Sequence, residues 1–137
     1  MIKAKASAIL LVAMSHYAHA DVAVIVHPSN LSELDKTTIN RMFMGREKSF
    51  SNGDLVIPIG QHATDNIATE FNQAVLNKSA RQLKAYWSKL VFTGKGRPPK
   101  EVANDAEMID LVASNPNFIG YVDAASVTDD VKVVATF

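Results

Sequence analysis

Apolar positions along the chain change their period several times, and each change marks an element. Residues 22–26 read Val-Ala-Val-Ile-Val, an unbroken apolar run that suits a strand covered on both faces. His27-Pro28-Ser29-Asn30 breaks the run. Ser32 then offers an N-cap, and Glu33 and Asp35 complement the positive start of a helix. Ile39, Met42 and Phe43 fall on one helical face, and Gly45 suits the left-handed position just past its end. Ser51-Asn52-Gly53-Asp54 is a turn signal. Residues 55–59 form the second strand candidate, which Pro58 confines to an edge or a strand end. After Gly60-Gln61-His62-Ala63 a helix begins near Thr64, with Ile67, Phe71, Ala74 and Val75 as its apolar face.

Ser79 with Gln82 three positions on is a capping box. The helix it opens carries the stripe Leu83, Tyr86, Trp87, Leu90 and Val91, which is expected to be core, and Gly94 ends it. Residues 95–100 form a basic, proline-stiffened loop. Asn104 and Glu107 mark another helix start, with Met108, Leu111 and Val112 as its apolar face and Asn115-Pro116 as its stop. Residues 118–122 and 131–134 are the last strand candidates. The order strand, helix, strand, three helices, two strands predicts an α/β chain.

The first twenty residues follow a different logic. Lys3 and Lys5 form a short basic head, residues 6–14 are apolar apart from Ser7, and Ala18-His19-Ala20 is a small-x-small cleavage pattern. This is the design of a secretory signal peptide over 1–20, leaving 21–137 as the working domain. No cysteine follows the cleavage site to carry a lipid, so the expected home is the periplasm, without lipidation. The absence of cysteine from all 137 residues also removes disulfides, thiolate metal sites and thiol nucleophiles. With 14 basic and 14 acidic side chains the chain lacks the basic excess that a nucleic-acid partner demands.

Catalytic signatures are missing from the sequence. There is no H-E-x-x-H and no G-x-S-x-G, and no carboxylate pair stands out as acid and base, so no enzyme is expected. His27 and His62 suggest no third metal ligand, and no metal or cofactor is expected either. Gly94-Lys95-Gly96 follows a helix and lacks phosphate-loop spacing, so it reads as a helix C-cap and a solvated loop. One segment can do recognition chemistry with ordinary side chains. The first turn of a helix exposes unpaired N–H groups and a partial positive charge, which together hold an oxyanion. At residues 60–66 Thr64 and Asn66 add side-chain donors, and Gln61 and His62 are placed to reach the same point.

Several stretches together resemble a known family. Val26-His27-Pro28-Ser29-Asn30 precedes a Leu-Ser helix start, Met42-Phe43-Met44-Gly45 is similar to an Ile-Phe-x-Gly signature, and Ile119-Gly120-Tyr121-Val122 stands near the end. With Tyr86-Trp87 and the stretch from Phe92 to Pro99, these resemble a short, single-module branch of the phosphate-binding receptors of ABC transporters. The resemblance covers nearly all of 22–135. It implies a type II periplasmic-binding-protein-like α/β fold, truncated to about one lobe plus hinge segments. It also implies a phosphate-like oxyanion held at helix N-termini. In the family an arginine and a Ser-Gly-Thr-like run hold phosphate at a strand-to-helix turn. Here Thr64, with Asp65, matches that run in kind, and the arginine and the glycine have no counterpart. The expected ligand set is Thr64, Asp65, Asn66, Gln61 and His62, with Ser29 and Asn30 contributing from the first strand-to-helix loop. The expected partners are the oxyanion, an ABC transporter permease or membrane sensor, and a second copy of the chain as the other jaw. The alternative is an interaction or sensory module that keeps the fold without tight ligand binding, with Lys95, Arg97 and Lys100 docking an acidic partner.

Overall fold

The computed structural model describes residues 21–137, and the signal peptide read at 1–20 lies outside the described residues. Five strands form one sheet: β1 (Val22–Val26), β2 (Ile57–Gln61), β3 (Lys100–Val102), β4 (Phe118–Asp123) and β5 (Lys132–Thr136), in the spatial order β3-β2-β4-β1-β5. Every residue of β1 is buried, and its two faces serve two cores. Val22, Val24 and Val26 pack with Ile39, Met42, Phe43 and Phe71, whereas Ala23 and Ile25 pack with Met108 and Val112. Helices cover both faces of the sheet, so the run is apolar without alternation, as the sequence implies.

Strand directions set where the loops go. β2 runs parallel to β4 and β3, while β1 runs antiparallel to β4 and β5. β1 therefore ends at the edge of the sheet where β2 begins. Pro58 pairs with Ile119 in the second position of β2, so the proline sits near a strand end, inside the sheet order.

The first helix, α1 (Lys36–Phe43), starts later than the sequence suggests. Asp35, and not Ser32, is the N-cap, and its carboxylate accepts from Thr38 N–H at 2.8 Å. That hydrogen bond lowers the Asp35 pKa from its ordinary value. Ser32 is diverted because Asn30 Oδ1 captures its N–H at 2.9 Å, turning the chain before any helix can form. Gly45, with φ of 73°, follows α1 as expected, and a Cβ there would press to 3.3 Å from the Trp87 ring.

The second helix, α2 (Asn66–Phe71), begins two residues after Thr64 and continues as a π-helical turn over Asn72–Leu76. It buries Ile67, Phe71 and Val75, and Phe71 stacks on Tyr121 at 3.9 Å. α3 (Ala80–Phe92) carries the full capping box of Ser79 and Gln82, and Gly94 follows it with φ of 69°. No residue of α3 is fully buried, so the expectation that its stripe is core holds only in part: Leu83 and Tyr86 pack half-buried on the core, whereas Val91 is exposed. The strand β3, which starts at the last residue of the expected loop and continues through residues given no element from sequence, pairs with the end of β2. α4 (Asp105–Ala113) starts at Asn104 as expected and buries Met108, Ile109 and Val112.

Candidate functional site

The turn from β2 into α2 brings most of the expected residues together. His62 N–H donates to Val102 O and Asp65 N–H to His62 O, so the chain folds tightly as it leaves the sheet. Asp65 holds the N-cap position of α2 without making a side-chain cap. Among the described residues the amides of Asn66, Ile67 and Ala68 have no protein acceptor. Thr64 and Asn66 beside them are exposed, and Asp65 is half-buried. This is the unpaired helix start that the sequence suggests.

Gln61 has a different task from the one expected of it. It is buried, and its Nε2 donates to Asp105 Oδ1 at 2.7 Å and to Tyr121 O at 3.0 Å. Asp105 Oδ2 in turn accepts from Ser126 Oγ at 2.7 Å and from Asp123 N–H at 3.2 Å. Both side-chain donor bonds of Gln61 are thus spent on locking β2 to β4 and α4. His62 is exposed, with Nδ1 3.3 Å from Glu101 Oε2, so it stands at the mouth of the turn against a carboxylate.

Ser29 and Asn30 do not join this group, a correction that follows from strand direction. Val26 and Pro58 both pair with Ile119, so the loop after β1 lies beside the start of β2. At about 3.3 Å per residue, the length of β2 puts roughly 10 Å or more between that loop and Gln61. Asn30 is buried, and its carbonyl accepts from Lys132 Nζ at 3.0 Å; Ser29 is exposed and bonds His27 Nδ1 at 2.8 Å. Both serve the local turn.

The turn opens beside a slot of about 860 Å³ that runs under α3. Gly60, Gln61, Phe71 and Tyr121 form its floor, and Leu83, Trp87 and Val91 of α3 belong to its wall. Tyr121 is 3% exposed, and its hydroxyl accepts from Gln61 N–H at 3.0 Å. Burial pushes its pKa up to about 12, with smaller contributions from the negative charges of Glu101 and Asp65, so it keeps its proton at neutral pH. The sequence reading missed the roles of Tyr121 and Asp105 because their partners lie far along the chain. Trp87 was visible in the helical stripe, but nothing local shows which surface faces it. Among the described residues no three His, Asp or Glu side chains converge to hold a metal ion, and no helix is long and apolar enough to cross a membrane.

Neither a protein-family model nor a curated protein matches the sequence. Solved structures do match, and they define the class of fold. An ABC-type phosphate transport receptor from Vibrio cholerae aligns with a TM-score of 0.58 at 15% identity, covering 84% of this chain and 46% of that one. A putative phosphate ABC transporter substrate-binding protein with bound phosphate from Clostridium perfringens gives 0.58 at 19% identity, covering 84% and 45%. PstS from Borrelia burgdorferi gives 0.62 at 14% identity, covering 85% and 47%. The described α/β unit therefore has the fold of a phosphate-receptor lobe, and the chain spans about half the length of the receptors it matches.

Proposed function

We propose that this chain is a solute-binding protein of the phosphate-receptor type, without enzymatic activity, exported to the periplasm through its leader. It holds a phosphate-like oxyanion at the turn between β2 and α2, in service of an ABC transporter. The observation that supports this most is the helix start itself: three consecutive amides without acceptors among the described residues, an N-cap aspartate whose side chain makes no cap there, and exposed Thr64 and Asn66. The likeness to phosphate receptors supports the same reading.

Charge sharpens the choice of anion. Asp65 and Glu101 stand close enough to raise the Tyr121 pKa, so a fully ionised oxyanion meets repulsion at this turn. An oxyanion that carries a proton can donate it to a carboxylate and turn that repulsion into a hydrogen bond. Phosphate and arsenate carry such a proton at neutral pH, and sulfate does not. Two or three charge-assisted bonds of about 1.5–3 kcal/mol each, less the cost of immobilising the ligand, leave roughly the 4 kcal/mol of a millimolar site.

A thermal-shift titration of the protein with phosphate, arsenate and sulfate tests this. At ten times the dissociation constant, phosphate stabilises by about 1.4 kcal/mol, several degrees in Tm. Sulfate is expected to give a smaller shift, and Thr64→Val with Asn66→Ala to reduce the response by removing the side-chain donors while the amides remain. No shift with phosphate at tens of millimolar rejects the reading.

A further inference from the structure

The slot beneath α3, at about 860 Å³, falls within the roughly 300–1,000 Å³ of sites that hold small organic molecules. An inorganic oxyanion fills little of it and makes no use of its apolar wall. Val91 and Phe92 line the slot while remaining 52% and 92% exposed. Arg81 and Lys84, three positions apart on α3, line it as well. Among the described residues neither cation forms an ion pair, the two pairs present being Arg41–Glu47 and His62–Glu101. Glu101 is the one acid on the lining. On the floor, the buried Tyr121 hydroxyl accepts from Gln61 N–H, yet its own proton has no acceptor among the described residues.

We propose that this slot binds an amphipathic organic anion, a carboxylate or phosphate monoester carrying an alkyl or aryl body. Arg81 and Lys84 supply its polar contacts. The two cations repel each other across one helical turn, and an anion between them replaces that repulsion with attraction. The body lies along Trp87, Val91 and Phe92 toward Pro98 and Pro99, an arrangement that buries the apolar wall α3 leaves open. The slot shares Gly60, Gln61 and Ala63 with the turn, but other side chains hold its ligand, so the inference stands apart from the oxyanion reading.

Trp87 is the one tryptophan of the sequence, so its fluorescence reports on the slot directly. Titration with decanoate, kept below its micelle threshold, is expected to shift the emission saturably to the blue. Decanol, with the same tail and no charge, is expected to bind about tenfold more weakly, the loss of one charge-assisted contact. Arg81→Gln combined with Lys84→Gln weakens decanoate by about the same factor and leaves decanol unchanged. Phe92→Asp, at a position exposed enough to spare folding, weakens both probes. A response that does not saturate, equal binding of the two probes, or unchanged decanoate binding by the double variant overturns the proposal. So does emission that is blue-shifted without probe and depends on protein concentration, as a second copy over the slot would make it. Inorganic phosphate in the same assay is expected to raise Tm without moving the Trp87 emission. A missing phosphate shift therefore counts against the oxyanion reading alone, and a missing decanoate shift against the slot alone.

Discussion

Helices α3 and α4 begin with nearly the same chemistry and end in opposite circumstances. At α3, Ser79 Oγ accepts from Gln82 N–H at 3.2 Å and Gln82 Oε1 accepts from Ser79 N–H at 2.9 Å. At α4, Asn104 Oδ1 accepts from Glu107 N–H and Glu107 Oε2 from Ala103 N–H, both at 2.9 Å. Both helices carry an apolar stripe. Yet α4 buries Met108, Ile109 and Val112, whereas α3 buries none of its 13 residues. The difference lies in what the sheet offers each helix. Gly120 of β4 has no side chain, and a Cβ there would overlap Met108 Sδ, so α4 sits down on the strand. α3 rests on the body with part of its stripe only: Leu83 and Tyr86 pack half-buried on the first core, Gly45 and Gly96 admit Trp87, and Tyr86 Oη donates to Met44 O at 2.7 Å. A cap and a stripe make a helix and give it an apolar side; they do not say whether the chain's own core covers that side.

The largest expected contrast follows from this. Met108 is fully buried, so Met108→Ala removes its packing and leaves a cavity, at a cost of about 2–5 kcal/mol. Phe92 is 92% exposed, so Phe92→Ala is expected to change stability by less than about 0.5 kcal/mol. Urea unfolding of the two variants compares them directly. A loss at Phe92 approaching that at Met108 means that α3 is packed in solution, and the contrast between the helices breaks.

What the sequence revealed follows the range of each interaction. The β1 run, the caps at Ser79 and Asn104, and the glycines at 45 and 94 depend on neighbours within a few residues, and all were legible. β3 was not, because Lys100-Glu101-Val102 is too short to show a period and exists through its pairing with β2. The site shows the same division. The bare helix start at 66–68 has a local signature, whereas the bond of Gln61 to Asp105 spans 44 positions and that to Tyr121 spans 60. From sequence Ser29 and Asn30 resemble the turn because both segments join a strand to a helix. Only the antiparallel course of β1 separates them, and no residue type announces it.

A smaller effect tests how each helix is tied down. Asp105, the first residue of α4, holds Gln61, Asp123 and Ser126 through both carboxylate oxygens. Asp105→Ala leaves donors unpaired in a half-buried place and is expected to cost about 1–3 kcal/mol. The corresponding hydrogen bond for α3 runs from Tyr86 Oη to Met44 O. Tyr86→Phe deletes the hydroxyl and is expected to cost about 0.5–1.5 kcal/mol. Thermal unfolding ranks the pair, and equal losses would mean that α3 is held as firmly as α4.

The smallest effect is the most discriminating, because it gives both helices the same lesion. Ser79→Ala and Asn104→Ala each remove one cap, worth about 0.5–2 kcal/mol to the first turn. In α4 that turn carries Asp105 and leads into buried Met108, so it opens only when the fold opens, and the loss is expected in full in the global unfolding free energy. In α3 the first turn is exposed at Ala80, Arg81 and Gln82, and it can fray while the sheet and both cores stay intact. Ser79→Ala is therefore expected to speed amide exchange at Gln82 and Leu83 several-fold while moving global stability much less than Asn104→Ala does. Equal global losses from the two variants would place α3 inside the same cooperative unit as α4. The apolar side of α3 would then be part of the fold's own core in solution, and no ligand would be needed to cover it.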